Sequence, residues 1–336
     1  MEEICAATNT TGAVLLQSDV RTPEVPVTSS VSAYLASYFS NELHVTDIRA
    51  KRGVPLLLTG RSVIRDQDLF CTEAEMRRDP LYAHAKEWGL SWWTGVGFRA
   101  GSALWALALQ RSTQDGPFER ADVKALELLP SLLTEAATLS KVVGRQALQE
   151  STNALQRVHR PAMAINLLGQ VIDMNPSAGQ LLCSELQIRN NRLVVRDRTV
   201  AEQLDCLVSQ LRATSDTSPL LTTPIVVQRE GKRPVLINII PVTGAARAPF
   251  LGARVILLLT DLDEVRAPQL ETVRRAFGLT QAEARTARLI AMGASTQDIS
   301  DELEIATETV RKHLKSIFAK TDTHRQAELV ALLSRI

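Results

Sequence analysis

Arg311, Lys312 and Lys315 stand close together near the C-terminus, with Glu308 the one acidic residue beside them. Val310, Leu314, Ile317 and Phe318 follow i, i+4, i+7, i+8 spacing, which makes one apolar stripe of a helix predicted from about Thr307 to Lys320. The three cations fall on the other side of that helix. Arg and Lys presented in this way can donate to guanine O6 and N7 or neutralise phosphate, as a helix lying in the major groove does. Charge pattern alone favours a plainer reading, a solvated helix face. The flanking punctuation reverses that preference.

Thr280-Gln281-Ala282-Glu283 has the form of a capping box, in which the hydroxyl and the carboxylate each satisfy an amide at a helix start. An Ala-rich helix follows and should stop at Gly293. Ser295-Thr296-Gln297-Asp298 opens a second, short helix through Ile299 and Leu303. A break of a few residues separates it from the cationic helix. Thr323-His324-Arg325-Gln326 has the form of a third box, before a last helix Ala327–Leu333. Three such starts at helix-length spacing predict a compact four-helix module.

Other groups that could do chemistry are sparse. Cys5, Cys71, Cys183 and Cys206 form no CxxC pair, and the five histidines complete no metal spacing, so neither a disulfide scaffold nor a zinc module is expected. No nucleophile elbow or metal motif marks a catalytic centre, and the expectation is a protein that is not an enzyme and holds no cofactor. Tyr82, Trp88, Trp92, Trp93 and Phe98 cluster in a chain with only 4% aromatics and could line a small-molecule pocket. Core packing explains such a cluster more often. Gly95-Val96-Gly97 misses the GxGxxG spacing and precedes a strand-like run, which argues against phosphate binding.

At 336 residues, with 45% apolar and 22% charged side chains, the chain has the composition of a folded protein of two or three domains. A net charge of +1 provides no global field for a polyanion, so any nucleic-acid site must be local. The longest apolar runs are far shorter than the roughly 20 residues of a membrane span, and no signal-peptide pattern opens the chain, so a cytoplasmic protein is expected. Short β-like runs (Ala13–Leu16, Pro55–Leu58, Thr94–Phe98, Ser102–Leu109) and the amphipathic segment Val31–Leu43 place an α+β domain over residues 1–118. Residues 119–158 read as connecting helices able to dimerise, kinked or divided at Pro130, with Leu126, Leu129, Leu133, Ala136, Leu139 and Val143 periodic. A second α+β domain spans 159–263: a hairpin turning near Leu168-Gly169, a helix Ser177–Leu182, an extended run Leu186–Val195, and a hairpin about Arg229–Lys232. A charged linker, 264–274, precedes the helical module at 275–336.

Residues Leu279–Leu332 resemble the LuxR-type helix-turn-helix domain of bacterial transcriptional regulators. The match includes Leu279, Thr280, Glu283, Gly293, Ile299, Leu303, Thr309, Val310, His313, Leu314, Ile317, Lys320, Arg325 and Leu329. The resemblance implies that Arg311, Lys312 and Lys315 face base edges of double-stranded DNA, with Thr309 and His313 near its backbone. His313 also sits at the edge of the apolar stripe, where packing is an equal alternative. The same resemblance implies homodimerisation through the last helix, with Gln326, Leu329 and Val330 as contacts, and RNA polymerase as a further partner. Two departures stand out: Ala306 replaces the usual Ser cap of the recognition helix, and Thr321 follows Lys320 where the family has Leu. The segment Pro161–Leu182 resembles the opening of a PAS domain, two strands, an Asn near the second strand's end, then a helix. The residues before Glu119 resemble a GAF-type sensor. Together these imply a one-component regulator answering to an unidentified small-molecule effector, with a signalling adaptor working through protein contacts as the alternative.

Overall fold

The computed structural model describes residues 1–18, 25–213, 223–264 and 267–335. They divide into two compact units, Met1–Asp261 and Leu262–Ile336. The first holds two antiparallel sheets and a hairpin; the second is helical.

The first sheet has the order β1-β4-β3-β2, with β1 Gly12–Gln17, β2 Val63–Arg65, β3 Leu90–Ala100 and β4 Ala103–Ser112. Alternation along β3 sends Val96, Phe98 and Ala100 to one apolar cluster and Trp93 to another on the opposite face. A helix Ile48–Leu58 packs on the Trp93 face. Pro55–Leu58 therefore belongs to a helix and not to the strand expected of it. Asp47 caps that helix by accepting from the Arg49 and Ala50 amides at 2.8 and 3.3 Å, so it is well under way before Pro55 removes one donor. Gly97 lies beneath it; an added Cβ would stand 2.8 Å from Leu57 Cδ2.

In the second sheet the order is β6-β5-β11-β10-β9. Its strands are β5 Ala162–Asn166, β6 Val171–Met174, β9 Ile225–Arg229, β10 Lys232–Pro241 and β11 Ala253–Asp261. Between them lie a helix Pro176–Gln180 and the separate hairpin of β7 Leu186–Arg189 and β8 Arg192–Val195. The expected single extended run is thus two strands, because Asn190 and Asn191 both take positive φ (50° and 59°) and reverse the chain. A helix Arg198–Ala213, not anticipated from the sequence, buries Val200, Leu204, Leu207 and Leu211 against this sheet.

A connecting helix of 29 residues, Leu129–Arg157, leans on β3 with its first part and on β5 and β6 with its last. Pro130 sits in its first turn, where no amide is needed, and a shorter helix Arg120–Leu126 precedes it. Ala137, Gly144, Leu148 and Thr152 face inward, whereas Leu139 and Val143 of the predicted stripe are exposed. Gly144 permits the close approach: a Cβ there would lie 2.8 Å from Ala248 Cβ and 3.1 Å from the Ala245 carbonyl. Asn175, fully enclosed, joins three elements. Its Oδ1 accepts from Ala162 and Ala178 amides, both at 3.0 Å, and its Nδ2 donates to the Arg160 and Thr152 carbonyls at 2.8 and 3.3 Å.

The second unit begins its helices earlier than expected. Leu270–Phe277 is helical, so the charged linker ends before it; Val265 and Arg266 of that linker lie outside the described residues. Helices Gln281–Ala291, Thr296–Glu302, Thr307–Thr321 and Gln326–Leu333 follow around one core that includes Ile290, Ile299, Val310, Ile317 and Leu329. No described helix is long and apolar enough to cross a membrane.

Replacing Asn175 with Ala strands the buried Ala162 amide and cuts the ties to the Arg160 and Thr152 carbonyls, while the Ala178 amide keeps the Asn175 backbone carbonyl at 3.1 Å. We expect a loss of about 3 kcal/mol in urea unfolding followed by tryptophan fluorescence, since every tryptophan lies in the first unit. A loss below about 1 kcal/mol would show that the residue is not the joint described.

Candidate functional site

Two places gather side chains suited to recognition: the outer face of helix Thr307–Thr321 and a cavity in the first unit. The helix is placed by what lies behind it. Both predicted capping boxes before it form: Thr280 with Glu283, and Ser295 with Asp298. The third does not. Arg325, not Thr323, is the N-cap of the last helix, the Thr323 hydroxyl pairs with Thr321 at 2.8 Å, and the His324 amide donates to Glu328.

Glu283 has a second task that the sequence motif does not display. Its Oε2 accepts from the Thr280 amide and from Lys320 Nζ, both at 2.7 Å, and its Oε1 from the Ser316 hydroxyl at 2.6 Å. Burial pushes this carboxyl up, but Lys320, Ser316 and Thr280 outweigh it and hold it down at about 2. The carboxylate therefore fastens helix Thr307–Thr321 to the start of helix Gln281–Ala291. His313, one turn nearer the N-terminus, adds to this seam, with Nδ1 3.2 Å from the Thr286 hydroxyl. That hydroxyl donates to the Ala282 carbonyl at 3.0 Å, so the His313 Nδ1–H is the donor. His313 is half-buried here.

With that seam and the apolar stripe turned inward, Arg311, Lys312 and Lys315 are all exposed on one arc of the helix. Arg311 Nη1 reaches Glu308 Oε2 at 3.3 Å, a surface pair of small energetic weight. Thr309, half-buried, lies in the first turn. Ala306 is the N-cap and supplies no side-chain bond, while the Thr307 hydroxyl turns to Ser300 Oγ at 3.3 Å and links this helix to the preceding one. Thr321 is buried and bonds the Ile317 carbonyl, filling the place where the resemblance expects Leu. Leu329 is fully buried in the domain core, so it is unavailable as the dimer contact expected of it; Gln326 is exposed and Val330 half-buried.

The aromatic cluster of the first unit does not converge. Trp93 lines a cavity of about 60 Å³ between the first sheet and its covering helices. Trp92 and Phe98 serve the packing on the other side of β3, Phe98 meeting Phe250 edge-on, and Trp88 is 43% exposed beside His84. Tyr82 stands behind the cavity. It accepts from Arg49 Nε at 3.1 Å and donates to Asp66, whose other oxygen takes the Trp93 amide at 2.7 Å. Burial pushes the Asp66 carboxyl up to about 6, against the pull of Arg49, Tyr82 and the Trp93 amide. Arg49, Asp47, Asp66 and Gln110 are the groups composition and motif did not single out. Their one signal is indirect, since Gln110 and Arg49 are polar residues within otherwise apolar runs.

A tight pair of short helices, the second carrying outward cations on a buried anchor, defines a helix-turn-helix DNA-binding domain. Residues 278–333 match the family model described as bacterial regulatory proteins, luxR family, and are a LuxR-type domain of that kind. No curated protein matches the chain. Among solved structures, Escherichia coli SdiA is similar at 14% identity, covering 98% of this chain and 86% of its own, with a TM-score of 0.29. Vibrio cholerae VqmA, solved as a dimer in the absence of target DNA, is similar at 15% identity over 55% and 85%, with a TM-score of 0.21. Superpositions this loose carry no weight for the whole chain, and the assignment rests on the domain match.

Glu283→Gln keeps the side-chain shape and removes the charge. Because the folded carboxyl titrates below its ordinary range, its contribution is present above about pH 4.5 and fades as pH falls toward 2. At pH 7 the variant's helical unit should be about 2 kcal/mol less stable by circular dichroism melting, with the difference cut to about half by pH 3 and gone only toward pH 2. An equal deficit at both pH values contradicts the clamp.

Proposed function

We propose that this protein is a bacterial one-component transcription regulator that binds duplex DNA in a sequence-specific manner and is not an enzyme. The observation that carries the proposal is the exposed arc of Arg311, Lys312 and Lys315 on a helix fastened from behind, within a domain of the LuxR type. Phosphate contacts supply affinity and the cations read base edges; Thr309 lies where backbone contact begins. His313 contributes through packing against Thr286.

The first unit is the sensor. Its second sheet, with the strand pair β5 and β6, the capping Asn175, the helix Pro176–Gln180 and the later strands β9 to β11, supports the PAS-like reading. The first sheet with its covered cavity supports a GAF-like partner that takes a small-molecule effector. The protein acts as a homodimer. Leu128, Leu132, Leu139, Val142 and Val143 are each between 48% and 70% exposed along one side of the connecting helices, which supports pairing there in place of Leu329. Sedimentation as a monomer both free and on DNA would remove that part of the account.

Selection of random duplex DNA by the full chain tests the central proposal: one enriched motif is expected. Lys312→Ala or Lys315→Ala should then weaken binding to that motif by about 1–3 kcal/mol if the residue reads a base. No enrichment under any condition, or unchanged affinity in both variants, would overturn it.

A further inference from the structure

The cavity beside Trp93 is built around polar groups whose hydrogen bonding is incomplete. Its walls are mostly apolar, with Val14, Leu35, Leu57 and Ile64 among them. Into this lining are set Arg49 and Gln110, 6% and 3% exposed. Gln110 Oε1 has no hydrogen-bond partner among the described residues. Leaving a buried acceptor unmet costs about 1–3 kcal/mol, so such an atom calls for an explanation. Arg49 spends its Nε on Tyr82, and its guanidinium lies 4.4 Å from the Tyr82 ring centroid and 5.3 Å from that of Trp93. That stacking fixes a flat donor surface at the cavity wall.

Charge decides what kind of molecule suits this wall. Asp47 also lines the cavity, holding Tyr38 OH at 2.8 Å, and Asp66 stands one hydrogen bond behind it through Tyr82. One guanidinium thus faces two carboxyl groups, which leaves no surplus positive charge for an anion. An acceptor suits Arg49 and a donor suits Gln110 Oε1, and a neutral molecule meets both without the repulsion that Asp47 and Asp66 hold out to an anion.

Resting on the sensor reading above, we propose that this cavity binds a small neutral amide or lactam, its carbonyl toward Arg49 and its N–H toward Gln110. The volume of about 60 Å³ exceeds the roughly 10–15 Å³ that a single water needs, so the site has room for a compact molecule or head group.

Acetamide and acetate make a matched pair of probes: the same shape, one neutral with an N–H donor, the other anionic with none. The full chain is labelled with 5-fluorotryptophan and the Trp93 resonance assigned with Trp93→Phe. Acetamide should shift that resonance saturably, and acetate at the same concentration and ionic strength should bind at least tenfold more weakly. Gln110→Leu should abolish the acetamide response while an unchanged melting temperature shows that the unit remains folded. Acetate binding as well as acetamide, no saturable shift with either, or a response surviving in Gln110→Leu overturns the proposal. If Gln110→Leu does not fold, the comparison of the two probes on the unsubstituted chain decides alone. Because the readout is at Trp93 and not on DNA, its failure leaves DNA binding standing, and a failed DNA selection leaves this result standing.

Discussion

Glu283 is the constraint from which the rest of the helical unit follows. A buried carboxylate is costly unless its oxygens are met, and here three donors from two helices meet them: the Thr280 amide, Ser316 and Lys320. The same group that starts helix Gln281–Ala291 therefore dictates the rotation of helix Thr307–Thr321. Once that rotation is set, Val310, Leu314 and Ile317 must face the core, and Arg311, Lys312 and Lys315 must face outward. The presentation of charge is a consequence of the clamp, with the apolar stripe and the His313–Thr286 contact acting in the same sense.

The sensor unit solves a related problem with opposite materials. Its enclosed polar groups Arg49, Asp47 and Gln110, backed by Tyr82 and Asp66, border a space and not a packed seam. In the seam at Glu283 the acceptors are all supplied with donors. At the cavity, Gln110 Oε1 is left over among the described residues. That difference separates a structural network from one with room for a visitor.

Legibility in the sequence followed the range of the interactions. Capping boxes, the Gly293 stop and the apolar stripe of the recognition helix are set within a few residues, and local sequence is enough to place them. The domain resemblance rested on the same local pattern. The third box failed because Thr323 found a partner in Thr321, a competition that spacing does not reveal. Pro55–Leu58 read as a strand because four residues are too few to show helical period, and the cap that settles the matter, Asp47, lies eight positions upstream of Pro55. The aromatic cluster misled for a geometric reason: alternation along β3 sends Trp93 to one face and Phe98 to the other. Arg49 and Gln110 meet from positions 61 apart, and no periodicity carries that information.

If the clamp positions the reader without touching DNA, the two roles differ in their dependence on salt. The decisive measurement is the affinity of the full chain for its selected duplex across a salt series, in the unsubstituted protein, Lys312→Ala and Glu283→Gln. Loss of a cation from the duplex interface lowers the slope of log affinity against log salt, by about 1 where that cation also neutralises a phosphate. The account predicts that Glu283→Gln weakens binding throughout the series with that slope retained. A slope reduced as in a lysine variant, or an affinity unchanged by Glu283→Gln, would contradict it.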